Sequence, residues 1–171
     1  MIWRALLTIA FLLIGVPVLL AEASTESLSQ TEAHLLERLQ KETDPVKKSK
    51  AETRLARVKL EQAIQGYNQG NVEQGARLVS SYLARIKDSW QLLRNCGKNA
   101  ARDSRGFKEL DIELREDVRR LDDLKRRVSY FDRAPLEQTG KELEQVRAQV
   151  LQALFPAART KEAIKPLGKT D

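Results

Sequence analysis

VEQGARLVSSYLARIKDSWQLL, residues 72–93, decides the fold. Val72, Ala76, Val79, Leu83, Ile86, Trp90 and Leu93 recur at alternating spacings of four and three, which puts them all on one side of a helix. Strands need alternation at every second residue or runs of β-branched residues, and the chain has neither. A stripe this regular belongs to the core of a helical bundle.

Upstream, GYNQGN (66–71) breaks the pattern. Gly66 and Gly70 suit the end of one helix, and Asn71 with Gln74 three residues on suits the start of the next. The preceding helix is expected from Pro45, with Asp44 as its cap, to about Tyr67. Ala56, Leu60, Ala63, Ile64 and Tyr67 share one face of it while Leu55 and Val58 lie on another, so this helix is expected to touch two neighbours. A first helix carries Leu28, Leu35 and Leu39 on one face, with Leu36 at its edge, and should end near Asp44. Glu32 interrupts that face.

Downstream, GKNAARDSRG (97–106) reads as a loop. A fourth helix follows to about Phe131, with Phe107, Leu110, Leu114, Val118, Leu121, Leu124 and Val128 within one sector and Ile112 opposite them. Between 107 and 128 seven bases match seven acids. Asp111/Arg115, Glu116/Arg120, Asp122/Arg126 and Asp123/Arg127 stand four apart with the acid first, the order that supports a helix from its own surface. A fifth helix should start near Pro135, bury Leu136, Leu143, Val146, Val150 and Leu154, and run to about Phe155. The expected fold is therefore all-α, a single-domain antiparallel bundle of four to five helices built from helical hairpins, over residues 24–155.

The turn around Tyr67, Gly70, Asn71 and Ala76 resembles the helix–turn–helix unit of tetratricopeptide repeats. The likeness covers that hairpin alone: the glycine comes one residue early, Ser80 stands where an aromatic is expected, and no second copy follows at the period of about thirty-four residues. It implies protein binding without chemistry.

Residues 1–23 differ from the rest, holding only Arg4 and Glu22 as charges around an apolar run from Ala5 to Leu20. With the small-x-small pattern at Ala21-Glu22-Ala23 this reads as a signal peptide cleaved before Ser24, and the alternative is a retained N-terminal anchor. The expected location is the periplasm or the exterior. Residues 156–171 read as a basic, mobile tail.

The chain carries a net charge of +6, which cleavage would not change. Export points that charge away from nucleic acid and toward a protein, an envelope component or an anionic membrane surface. Cys96 is the only cysteine, so its one disulfide option is intermolecular. It falls at the end of a helix, where the dipole disfavours a thiolate, and His34 is the only histidine available to activate it. His34 with Glu37 is too small a group for structural zinc, and Asp122 and Asp123 diverge by about 100° around a helix. We therefore expect no enzyme, metal or cofactor.

Lys47, Lys50, Arg54 and Arg57 step by three, four and three along the second helix and form a basic stripe, the candidate contact for an anionic partner. Such a contact should weaken steeply with salt. The leading expectation is an exported, non-catalytic module binding a protein or envelope component. The alternative is a periplasmic chaperone or stress-sensing helical protein, which would suppress aggregation of an unfolded client. The heptad-like spacing of residues 72–93 suits an intramolecular bundle and a coiled-coil dimer alike, and the short loops favour the former.

Overall fold

The structure is a computed structural model and describes residues 16–156, with side chains from residue 27 onward. Five α-helices and one 3-10 turn make up its regular structure, and no strand occurs among the described residues: α1 (Val16–Lys41), α2 (Pro45–Asn68), α3 (Val72–Arg94), α4 (Arg105–Arg127), the turn Tyr130–Asp132 and α5 (Ala134–Leu154). The leader reading falls largely on residues 1–15 and the tail reading on residues 157–171, outside those described.

Successive helices run antiparallel. Within the four-helix core α2 packs on α3, α3 on α5, α5 on α4 and α4 on α2. The two lateral pairs are parallel, as their side-chain register shows: Lys50 meets Glu109 and Arg120 meets Glu61 across α2 and α4, while Lys87 meets Glu142 and Trp90 meets Gln149 across α3 and α5. Two hairpins therefore lie side by side, like helix against like helix, and the 95–104 loop crosses the diagonal between them. One continuous core joins all four helices through Leu60, Ile86, Leu114, Leu143 and their neighbours.

Helix α1 lies outside this core, against α2. Leu35 packs on Leu55 and Val58, so the second face of α2 meets a second neighbour as its sequence implied. Glu32, the break in the α1 stripe, accepts a 2.6 Å ion pair from Lys59 and a 3.0 Å hydrogen bond from Gln62. Burial opposes its ionisation, but these partners outweigh it and hold its pKa below the ordinary value.

Several boundaries shift for local reasons. α1 ends at Lys41, because Asp44 turns to cap α2 and accepts from the backbone N–H groups of Val46 and Lys47 at 2.8 and 3.0 Å. α2 runs through Gly66 to Asn68, and Gly70 just beyond it, with a φ of +79°, lets Asn71 N–H return to Gly66 C=O at 2.8 Å. Asn71 precedes α3 without a side-chain cap bond. α4 ends at Arg127 rather than near Phe131, because Val128 turns extended.

Gly66 and Gly75 serve a different purpose, letting α2 and α3 cross closely beside their turn. A Cβ on Gly75 would lie 2.6 Å from the Tyr67 ring, whereas one on Gly140 in α5 would meet nothing within 4 Å. Gly75→Ala should therefore lower stability by about 1–3 kcal/mol through overpacking, despite its better helix propensity. Gly140→Ala should raise it by about 0.5–1 kcal/mol. Urea midpoints of the two variants should move in opposite directions.

Candidate functional site

Three of the four stripe residues, Lys50, Arg54 and Arg57, face α4, whereas Lys47 does not line the space between the two helices. α2 and α4 run parallel, and between them lies a groove of about 400 Å³ lined by Val46, Lys50, Arg54 and Arg57 on one side and Glu109, Ile112 and Glu113 on the other. Its floor is made close by Gly106, where a Cβ would come within 2.8 Å of Val46. The sequence placed Gly106 in a loop; it lies inside the first turn of α4.

The stripe divides into two kinds of base. Lys50 is paired with Glu109 at 2.9 Å, and Arg57 gathers Glu113, Glu116 at 3.0 Å and Asp117 at 3.4 Å. Lys47 and Arg54 are exposed and make no ion pair among the described residues. Of the four, these two stay open to a partner, with Lys47 close enough to Asp44 to help hold that carboxylate ionised.

Beneath Arg57 sits a buried polar network. Asp117 is 1% exposed, and its other oxygen accepts from the Tyr82 hydroxyl at 3.1 Å. Burial raises the Asp117 pKa, against the pull of Arg57 and Tyr82, and it raises the Tyr82 phenol well above its usual range, with Asp117 adding to the effect. For Arg57, burial disfavours the guanidinium, but Asp117 and Glu113 reverse that and hold its charge more firmly. This network fixes α4 to both α2 and α3.

Much of the charge on α4 thus serves its neighbours. Asp111/Arg115 forms as expected at 2.8 Å, but Asp111 also holds Arg147 of α5 at 3.0 Å. Glu116 goes to Arg57 and Arg120 to Glu61, Asp122 pairs with Lys125, and Arg127 donates to the backbone carbonyl of Asp123.

No known family, curated protein or solved structure matches this chain.

The remaining reactive side chains are dispersed. Ser49, Thr53 and Ser89 form a buried hydroxyl cluster at 2.8 Å spacings between α2 and α3, and they satisfy one another. His34 is exposed in a shallow depression with Glu37, Arg38, Lys41 and Glu42, while Cys96 is a half-buried free thiol packed on the main core. No hydrogen bond joins the two among the described residues. No group of three or more His, Cys, Asp or Glu comes together there as metal ligands would, and no described helix is long and apolar enough to cross a membrane.

What the groove offers is recognition. Ile112, 53% exposed, is a large apolar side chain standing in solvent on a helix whose other face is fully used. Beside it are the Val46 and Leu110 walls and the free guanidinium of Arg54. Sequence reasoning placed Ile112 opposite the core and Arg54 in the stripe, but could not show that they line the same groove.

Proposed function

We propose that this chain is an exported, non-catalytic helical module that binds a segment of another envelope protein in the α2–α4 groove. The observation that carries the reading is Ile112 exposed beside the unpaired Arg54. An apolar side chain flanked by a carboxylate matches that surface: the apolar group covers Ile112, Val46 and Leu110, and the acid meets Arg54. An amphipathic helix laid along the groove is a recurrent way to present both. The apolar leader supports the exported part of the reading.

A photoreactive amino acid in place of Ile112, used in intact cells, tests it. The expected result is a discrete crosslinked product that disappears with Arg54→Glu, persists with Lys108→Glu, and is competed by a peptide from the captured protein carrying the acidic–apolar segment. A product indifferent to Arg54→Glu would refute the reading. Both altered bases are exposed, so stability should stay within about 0.5 kcal/mol.

A further inference from the structure

We propose that the turn joining α4 to α5 is a membrane-contact surface, seated on a bilayer that carries anionic lipid headgroups. Tyr130 and Phe131 are 78% and 90% exposed, the most exposed large apolar side chains among the described residues. Their rings meet edge to face at 6.0 Å and so project together. The turn that carries them is closed by Asp132 N–H to Ser129 C=O at 3.0 Å and by Arg133 Nε to Val128 C=O at 3.4 Å. Phenyl and phenol rings presented this way favour the headgroup layer, where an apolar body and a polar tip are both accommodated.

The charge in the segment that carries the rings is predominantly positive. Lys125, Arg126, Arg127 and Arg133 flank them in the chain, with Asp132 the only acid from 125 to 133. Lys125 alone has a carboxylate partner, Asp122; Arg127 and Arg133 donate to backbone carbonyls, and Arg126 makes no bond among the described residues. Along the α2–α4 seam, by contrast, most bases are met by acids. Free bases around exposed rings complement an anionic lipid surface, each base near the surface contributing about 1 kcal/mol, or roughly fivefold in affinity.

The placement of the turn selects the bilayer as occupant. α1 runs antiparallel to α2, as Glu32 beside Lys59 and Gln62 shows, so its N-terminal turns lie at the end where α2 finishes. α4 is parallel to α2 and finishes at that end too, with Asp132 near enough to Tyr67 to act on its phenol. The apolar run Ala5–Leu20 leads into α1, so it is joined to the bundle at the end that carries Tyr130 and Phe131. Where that run is retained as the N-terminal anchor, the membrane it engages is the surface this turn faces; where it is cleaved, the free bases and paired rings alone carry the contact. The turn is distinct from the α2–α4 groove, and either can fail without the other.

The test places an environment-sensitive fluorophore on Ser129→Cys in the full chain, with Cys96→Ala removing the native thiol. Vesicles of phosphatidylcholine alone are compared with vesicles also containing phosphatidylglycerol. The expected result is a blue shift and quenching by brominated lipid with the anionic vesicles only. The apparent affinity should fall about thirtyfold with Arg126→Gln plus Arg127→Gln, and at least about tenfold with Tyr130→Ser plus Phe131→Ser. It should be unchanged with Phe155→Ser, an exposed aromatic at the opposite end. If the probe stays in water while the chain sediments with vesicles, the apolar run alone holds the chain and the proposal is overturned. It is also overturned if an unfolded client or another protein shifts the probe and vesicles do not.

Discussion

Replacing Arg57 by leucine should cost about 3–5 kcal/mol of folding stability near neutral pH, because it leaves the buried Asp117 carboxylate with one neutral partner. Asp117 is 1% exposed and keeps the Tyr82 hydroxyl as its one hydrogen-bond partner in the variant, with Arg120 acting on it only through space. Glu113 and Glu116 lose the same partner but are partly exposed, and water serves them. The loss should depend on pH in a definite direction. Burial already raises the Asp117 pKa in the folded chain, and removing Arg57 raises it further. Above the ordinary aspartate value of about 3.9 the unfolded chain releases this proton while the folded variant still holds it. Stability therefore falls as pH rises through that window and levels off above the folded pKa, so the deficit against the parent shrinks on acidification. Urea unfolding of both proteins from about pH 4 to about pH 7 reads this directly. Adding Asp117→Leu and Tyr82→Phe should restore most of the stability, since an apolar replacement of the whole network leaves no buried charge unpaired. A loss under about 1 kcal/mol that does not change with pH would mean that Asp117 is never held as a buried anion.

That network was partly legible in the sequence. Phe107, Leu110, Leu114, Leu121 and Leu124 follow the three-and-four rhythm of a core stripe, and the place the rhythm requires between Leu114 and Leu121 is occupied by Asp117. Reading apolar residues alone assigns the nearby Val118 to the core and leaves Asp117 on the surface; the structure makes Val118 half-buried and Asp117 wholly buried. Glu32 between Leu28 and Leu35, and Ser89 between Ile86 and Leu93, occupy stripe positions in the same way, and both find polar partners across a helix interface. Periodicity fixes which face a residue is on. It does not say which helix will be opposite, and that choice lies in the 95–104 crossing. Because that loop sets α4 parallel beside α2, Glu116 and Arg120, assigned to each other on one helix, instead meet Arg57 and Glu61 across the seam. The stripe Lys47, Lys50, Arg54 and Arg57 was visible, while its division into paired and free bases depended on this partner choice.

Two positions on one helix separate what folds this chain from what it offers to others. Leu114→Ala should cost about 2–5 kcal/mol, because Leu114 is fully buried in the core shared by the two hairpins and its removal leaves a cavity that rigid helices cannot close. Ile112→Ala, two residues earlier, should change stability by no more than about 0.5 kcal/mol, since more than half of that side chain already faces water. Urea unfolding compares the two, and capture through a photoreactive group at Lys50, which lines the groove and leaves both Ile112 and Arg54 to be tested, reads the groove independently. If Ile112→Ala leaves stability unaltered yet abolishes capture, the isoleucine acts on a partner rather than on the bundle. A loss of stability near that of Leu114→Ala would instead make Ile112 part of the α2–α4 packing and remove the apolar half of the recognition surface. The difference between these outcomes is larger than the uncertainty of the unfolding measurement, so the comparison decides whether the groove is a binding surface or a seam.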